Sequence, residues 1–200
     1  MRLMLVLCLA LLAVGSPAAH AANFPAANPA DQLLAAPIES YRYDHAVRCG
    51  KQPRAGTVAL QHWLSAHVEG VFWGIMRCEK WGPRSASLHA EGRAIDWHLD
   101  VADPASRREA YRLIDLLLAA DRNGNAHALA RRMGVQEIIY DCKSWWSGQD
   151  RLGRYSYCYS KRTGKRKKKV DRTAAHLDHI HLGLNRMGAS KQTSFWHARR

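Results

Sequence analysis

One short stretch, His176-Leu-Asp-His-Ile-His-Leu-Gly-Leu184, most restricts what this chain can become. In an extended strand, successive side chains point to opposite faces of the sheet. Read as a strand from Asp178, the stretch puts Ile180, Leu182 and Leu184 on one apolar face, with His179 and His181 side by side on the other. A second stretch, Ala94-Ile-Asp-Trp-His-Leu-Asp100, has the same design: Ile95, Trp97 and Leu99 lie opposite Asp96 and His98. Two strands that each carry metal-type ligands opposite an apolar back point to a metal site or a catalytic base built on a sheet.

The N-terminus reads as a targeting segment. Arg2 precedes the apolar run Leu3 to Val14, and Gly15-Ser16-Pro17 leads to the small-residue pattern Ala19-His20-Ala21. That is the form of a secretory signal peptide, residues 1–21, cleaved after Ala21 or Ala22. The run is too short for a stable transmembrane span, and Cys8 lies inside it, not just after it, which argues against a lipid anchor. A secreted or periplasmic protein is expected. About 178 mature residues suit one domain. It is assigned to residues 41–200, after a loose Ala-, Asn- and Pro-rich leader over 22–40.

Four cysteines remain after cleavage: Cys49, Cys78, Cys142 and Cys158. An even number in an oxidising compartment implies two disulfides, for which three pairings exist. The local pairs Cys49–Cys78 and Cys142–Cys158 are preferred, the second closing a loop of about 17 residues worth roughly 3 kcal/mol. Zinc held through cysteine is the competing reading, and no CxxC spacing supports it.

Taken in order, Thr57 to His67 reads as a helix with Leu60, Trp63, Leu64 and His67 on one face, and Val71 to Cys78 as a strand. A loop from Glu79 to Ser87 leads to His89. Asp103-Pro104 starts a helix with the buried stripe Tyr111, Leu113, Ile114, Leu117 and Leu118. A second helix, Ala126 to Met133, stops at Gly134. Val135 to Tyr140 is a strand, with Trp145 and Trp146 just beyond its end as packing or groove residues. Tyr155 to Tyr159 suggests a short hairpin arm tied by Cys158, and Asn185 to Arg200 a polar tail. Helices and strands mix without βαβ alternation or a phosphate loop. The expected class is therefore α+β, around a small, mostly antiparallel sheet.

The net charge is +13, and residues 161–169 hold seven of the thirty Lys and Arg residues. Such a run is ordinarily a solvated loop, yet it also suits an anionic polymer such as cell-wall glycan or nucleic acid. No aromatic residue interleaves it, so a base-stacking platform is not indicated.

The chemistry centres on His89, Asp96 and His181, an N, O, N set that would leave one coordination position open on zinc. Gly92 lets the loop fold His89 back over its strand. His179 is placed to take a proton from water and pass it to a leaving amine, and His176 to stabilise the intermediate or orient substrate. Asp178 acts behind them by fixing a histidine tautomer. His45, His127 and His197 read as packing residues, His62 and His67 as helix-surface or packing residues, and His98 as more bland than functional.

Ser87-Leu-His-Ala-Glu-Gly-Arg-Ala-Ile-Asp96 resembles the S-x-H-x-x-G-x-A-x-D motif of zinc D-alanyl-D-alanine peptidases. His176-x-x-His179-x-His181 resembles the second motif of the wider lysostaphin, D-Ala-D-Ala metallopeptidase and hedgehog group. The nearest variant is the extensin-like C-terminal domain, which also has a cysteine shortly before its first motif, as Cys78 is here. The resemblance spans roughly residues 71 to 184. It implies His89, Asp96 and His181 as zinc ligands, His179 as catalytic histidine with His176 assisting, and a zinc cleft on a central antiparallel sheet. The chain departs from the pattern at Asp178, where carboxypeptidases of the group often carry glutamate, and at Glu79, where an arginine commonly follows the cysteine. Arg77 or Arg84 is then the candidate substrate clamp, and the Lys-rich insertion has no counterpart.

The expected function is hydrolysis of an amide bond in peptidoglycan peptides or cross-links by a monomeric zinc peptidase. Its rivals are a zinc-dependent extracellular nuclease and a non-catalytic, zinc-stabilised wall-binding module. The nuclease lacks the expected carboxylate cluster, and the module has no need of His179.

Overall fold

The computed structural model describes residues 24–198; the expected signal peptide lies outside them. In chain order the elements are α1 (Ala55–His67), β1 (Val71–Gly74), β2 (Lys80–Gly82), β3 (Ser85–Ala86), β4 (Ala94–His98), α2 (Pro104–Leu118), α3 (Ala128–Met133), β5 (Val135–Tyr140), β6 (Lys143–Trp146), β7 (Gly153–Arg154), β8 (His179–Leu184), α4 (Arg186–Ala189) and α5 (Ser194–His197). The α+β class is as expected. Six strands make one antiparallel sheet in the order β1-β4-β8-β5-β6-β7, and β2 pairs with β3 apart from it.

The two patterned stretches, β4 and β8, are neighbours at the centre. Ile95 lies opposite Leu182 and Trp97 opposite Ile180, while Asp96 lies opposite His181 and His98 opposite His179. Residues directly opposite in an antiparallel pair share a face, so this register gathers the apolar side chains on one side and the polar set on the other. The apolar side is buried beneath Leu60, Trp63 and Leu64 of α1, Leu113, Ile114 and Leu117 of α2, Leu129 and Met133 of α3, and Phe195 and Trp196 of α5. Helix α2 starts as its sequence predicts: Asp103 accepts hydrogen bonds from the backbone N–H of Ala105 and Ser106, and Pro104 occupies the first turn. Gly134, at φ 78°, ends α3.

Several expectations need correction. Residues 24–40 are not a loose leader: Ala30 is fully buried, and Phe24, Leu33 and Ile38 pack on the core. Asn28 caps a 3-10 turn at Pro29–Leu33, and Glu39 accepts from the backbone N–H and hydroxyl of Ser194. The composition of this segment is that of a linker, but its spaced apolar residues reach the core. The tail is likewise not uniformly polar, since Trp196 donates from Nε1 to the Met133 carbonyl within the core. Strand β1 stops at Gly74 instead of running to Cys78, and the loop from Glu79 to Ser87 contains the β2–β3 pair.

Trp145 and Trp146 lie within β6, which pairs back on β5. The hairpin turns on Asp141 and Cys142, both in the left-handed region at φ 50° and 57°. A two-residue turn of this kind ordinarily advertises itself with Asn-Gly. Here Asp141 is held by Arg107 and Tyr111 at 3.0 and 2.9 Å, and Cys142 by its disulfide. Residues 156–158 form a 3-10 turn where a hairpin arm was expected. Both local cysteine pairs are present, Cys49–Cys78 and Cys142–Cys158. His45 and His197 are exposed, not buried packing residues, although the His45 ring meets that of Tyr43 with centroids 4.8 Å apart. Among the described residues, no helix is long and apolar enough to cross a membrane.

Candidate metal centre

His89 reaches the sheet through a tight local structure. The Ser87 hydroxyl accepts from the His89 backbone N–H and starts a 3-10 turn over Leu88–Glu91. Gly92 ends that turn at φ 68°, where a Cβ would lie 2.6 Å from the Gln52 carbonyl oxygen. The fold-back expected of Gly92 is therefore present and leaves no room for another residue. Arg93, fully buried, donates to Glu91 Oε2 at 2.9 Å, to the Leu184 carbonyl at 2.7 Å and to the Asp44 carbonyl at 2.8 Å. It ties the start of β4 to the end of β8 and to the segment before α1.

Three atoms converge on the polar face of the sheet. His89 Nε2 lies 3.0 Å from Asp96 Oδ1 and 3.0 Å from His181 Nδ1, and His181 Nδ1 lies 3.1 Å from Asp96 Oδ1. All three residues are buried. The Ile75 carbonyl, 2.8 Å from His89 Nδ1, can only accept, so that nitrogen carries the proton and Nε2 presents its lone pair. His181 Nε2 lies 3.2 Å from Glu137 Oε1, close enough to pair though not aligned as a good hydrogen bond, which leaves Nδ1 facing the cluster. Two imidazole lone pairs and a carboxylate oxygen meeting at this distance need a cation between them, either a proton or a metal. Ligands on a tetrahedral zinc with bonds of about 2.0–2.1 Å sit roughly 3.4 Å apart. The observed triangle is only a few tenths of an ångström tighter, and its N, O, N donors suit a borderline-soft divalent ion.

The electrostatics follow from this packing. Burial opposes ionisation of Asp96, but the adjoining imidazoles of His181 and His89, which gather positive charge at the cluster, outweigh it and hold the carboxyl well below the usual range. Burial likewise opposes charge on His181, yet Asp96 and Glu137 raise it to about 9. Glu137, also buried, is kept ionised by His181 and by the Tyr43 hydroxyl, which donates to Oε2 at 2.6 Å.

Beside the triangle, His179 Nδ1 donates to Asp178 Oδ1 at 2.7 Å, while its Nε2 lies 3.5 Å from Asp96 Oδ1. Thr173 in turn donates to Asp178 Oδ2 at 2.6 Å. Asp178 thus fixes the tautomer that leaves Nε2 of His179 free, and burial lowers the affinity of that ring for a proton. His176 sits in a left-handed backbone conformation at φ 53°, with its ring 4.7 Å from His179 and 5.5 Å from His181. Burial, aided by the neighbouring histidines, pushes its pKa down to about 2, so it is neutral. All six residues singled out in the sequence are therefore brought together.

The surrounding cleft has a volume of about 380 Å³ and is walled by Trp81, Tyr155, Tyr157 and Thr173. Arg77 lines it, engaged with Asp96 Oδ2 at 3.3 Å and Glu79 at 2.7 Å; Arg84 lines an adjoining hollow with Trp146 and not this cleft. Trp145 is core. His98 stacks on Trp73 with ring centroids 4.6 Å apart, in keeping with its bland reading. Glu137 and Tyr43 were missed by the sequence reading. The available signal was a glutamate in a strand that runs on into the apolar Ile138-Ile139-Tyr140; Glu137 lies opposite Gly183, whose missing side chain lets it meet His181.

The sequence model of the family described as VldE, C-terminal domain matches residues 49–172. This chain belongs to that family. The VldE C-terminal domain match begins at Cys49 and ends at Arg172, so it includes His89, Asp96 and Glu137 but stops before His176 and β8. Neither the curated proteins nor the solved structures yield a match to this chain.

Proposed function

We propose that this chain is an exported zinc peptidase that hydrolyses an amide bond in peptidoglycan peptides or cross-links. The observation that carries the reading is a three-ligand triangle with an oriented base beside it. His89, Asp96 and His181 converge at 3.0–3.1 Å, and His179 holds a free Nε2 next to them. His89, Asp96 and His181 would hold the metal. When bound, zinc supplies Lewis acidity, polarising a substrate carbonyl and acidifying water.

The chain's own groups do the rest. His179 accepts a proton from water at Nε2, with Asp178 stabilising the resulting imidazolium through Nδ1–H, and returns that proton to the nitrogen of the leaving amine. His176, held neutral by burial, offers a ring nitrogen to a substrate oxygen without adding charge. Glu137 and Tyr43 keep His181 aimed at the triangle. Two disulfides and the N-terminal apolar segment support an oxidising, extracytoplasmic location.

The test is mass analysis of muropeptides incubated with the purified protein, with and without a chelator. New amine and carboxyl termini that vanish with the chelator and return with zinc are expected. A protein that holds one zinc and leaves every wall peptide intact would instead be the non-catalytic binding module. Degradation of plasmid DNA without muropeptide cleavage would support the nuclease.

A further inference from the structure

The basic run over residues 161–169 has an architecture of its own. Tyr159 bridges to Arg166, the Lys167 N–H donates to the Cys158 carbonyl, and the Ser160 N–H donates to the Lys165 carbonyl. The run is thus a looped arm rooted on the Cys142–Cys158 disulfide, and every residue from Lys161 to Lys169 is exposed. Two of its cations are engaged: Arg166 with Cys142 Sγ and Lys167 with the Tyr157 carbonyl. Lys161, Arg162, Lys165, Lys168 and Lys169 have no side-chain partner among the described residues. Tyr157, to which Lys167 is tied, walls the cleft that holds His176 and His179, so the arm stands at the rim of the site. An ordinary solvated loop has no need of this bracing.

We propose that the arm is a second binding site, for the peptidoglycan polymer itself, which is anionic through the carboxylates of its peptides; the choice of polymer rests on the peptidase reading. Three observations favour a carboxylate-bearing polymer over nucleic acid. No aromatic residue lies within the run to stack a base. The two nearest tyrosine rings already carry cations, Lys167 at 4.8 Å from the Tyr157 centroid and Arg154 at 5.2 Å from that of Tyr159. The free cations are mostly lysines, point charges that suit scattered carboxylates better than forked phosphate contacts.

The test is co-sedimentation with purified sacculi, using the His179→Ala protein so that the polymer stays intact. Because the arm's free cations are exposed, sacculus binding should weaken as salt rises from about 50 to 200 mM. Combining Lys161→Gln, Arg162→Gln, Lys165→Gln, Lys168→Gln and Lys169→Gln should weaken binding at least tenfold at 50 mM. The same arm changes made with His179 intact should leave kcat and KM on a small soluble muropeptide within twofold. A companion variant with arginine at the four lysine positions should keep binding, which separates loss of charge from loss of fold. Unchanged sedimentation of the glutamine variant would overturn the proposal. So would tighter binding of the parent to single-stranded oligo-dT than to sacculi, which would assign the arm to nucleic acid. Arm-dependent binding to sacculi that are never cleaved would leave the arm standing and remove the peptidase reading.

Discussion

Zinc affinity should rise about tenfold for each pH unit between pH 6 and 8, because one proton must leave before the metal can enter. In the metal-free protein, Asp96 and Glu137 hold His181 protonated up to a pH of about 9. A proton bound about two units above pH 7 lowers apparent metal affinity there by roughly a hundredfold. Asp96, held well below the usual carboxylate range, is already ionised throughout and adds no dependence of its own. The sign for stability is opposite. His181 is raised above its unfolded value, so its contribution to the metal-free fold is fully present below pH ~6.5 and lost as pH rises through ~9. Competition titrations against a chromophoric chelator at pH 6, 7 and 8 measure the first effect. Calorimetry in two buffers of different ionisation enthalpy should count close to one proton released per zinc at pH 7. Thermal melts across pH 7 to 10, with chelator and with zinc, separate the second, since only the chelated protein should lose stability at the alkaline end. An affinity that changes less than threefold from pH 6 to 8, with no proton release, would refute the reasoning.

Other outcomes follow from individual contacts. His179→Ala should keep near-stoichiometric zinc by metal analysis while kcat on a muropeptide falls by roughly 10²–10⁴; full activity would remove His179 as the base. Glu137→Gln, which removes one of the two charges that hold His181 protonated, should flatten the rise of zinc affinity between pH 6 and 8, read by the same chelator titration. Gly92→Ala places a methyl group 2.6 Å from the Gln52 carbonyl at a positive φ, and a loss of about 1–3 kcal/mol in denaturant unfolding is expected together with weaker zinc binding. Replacing Cys142 and Cys158 together with serine should cost roughly 3 kcal/mol in the same unfolding assay, because the pair closes a loop of 16 residues' separation.

Much of the sheet's centre was legible because alternation is a local property. Period-two patterning in residues 94–100 and 178–184 assigns each side chain to a face whatever the rest of the chain does. The three candidate ligands, the histidine beside them and Asp178 followed from that patterning and from the spacing of the two motifs. Helix α2 declared itself through Asp103-Pro104, and α3 through Gly134. The sequence left three disulfide pairings open, and the preferred local pairs are the ones present.

What stayed hidden depends on contacts between residues far apart in sequence. Residues 24–40 have a linker's composition, and only the core they cover makes them ordered. The β5–β6 hairpin lacks a turn signature because Arg107, Tyr111 and a disulfide hold Asp141 and Cys142 in a conformation their own side chains do not favour. Arg93 and Glu91 show only as charges in a motif, yet buried together they join three segments of the fold. Glu137 becomes a partner of His181 only because β5 lies beside β8 with Gly183 opposite. The sequence by itself determined which residue types stand on which face of two strands, since that follows from backbone geometry. Only the tertiary structure decided that those strands are adjacent in the register that sets Asp96 against His181, and that a buried carboxylate stands behind His181, because strand pairing and burial arise between segments and not within them.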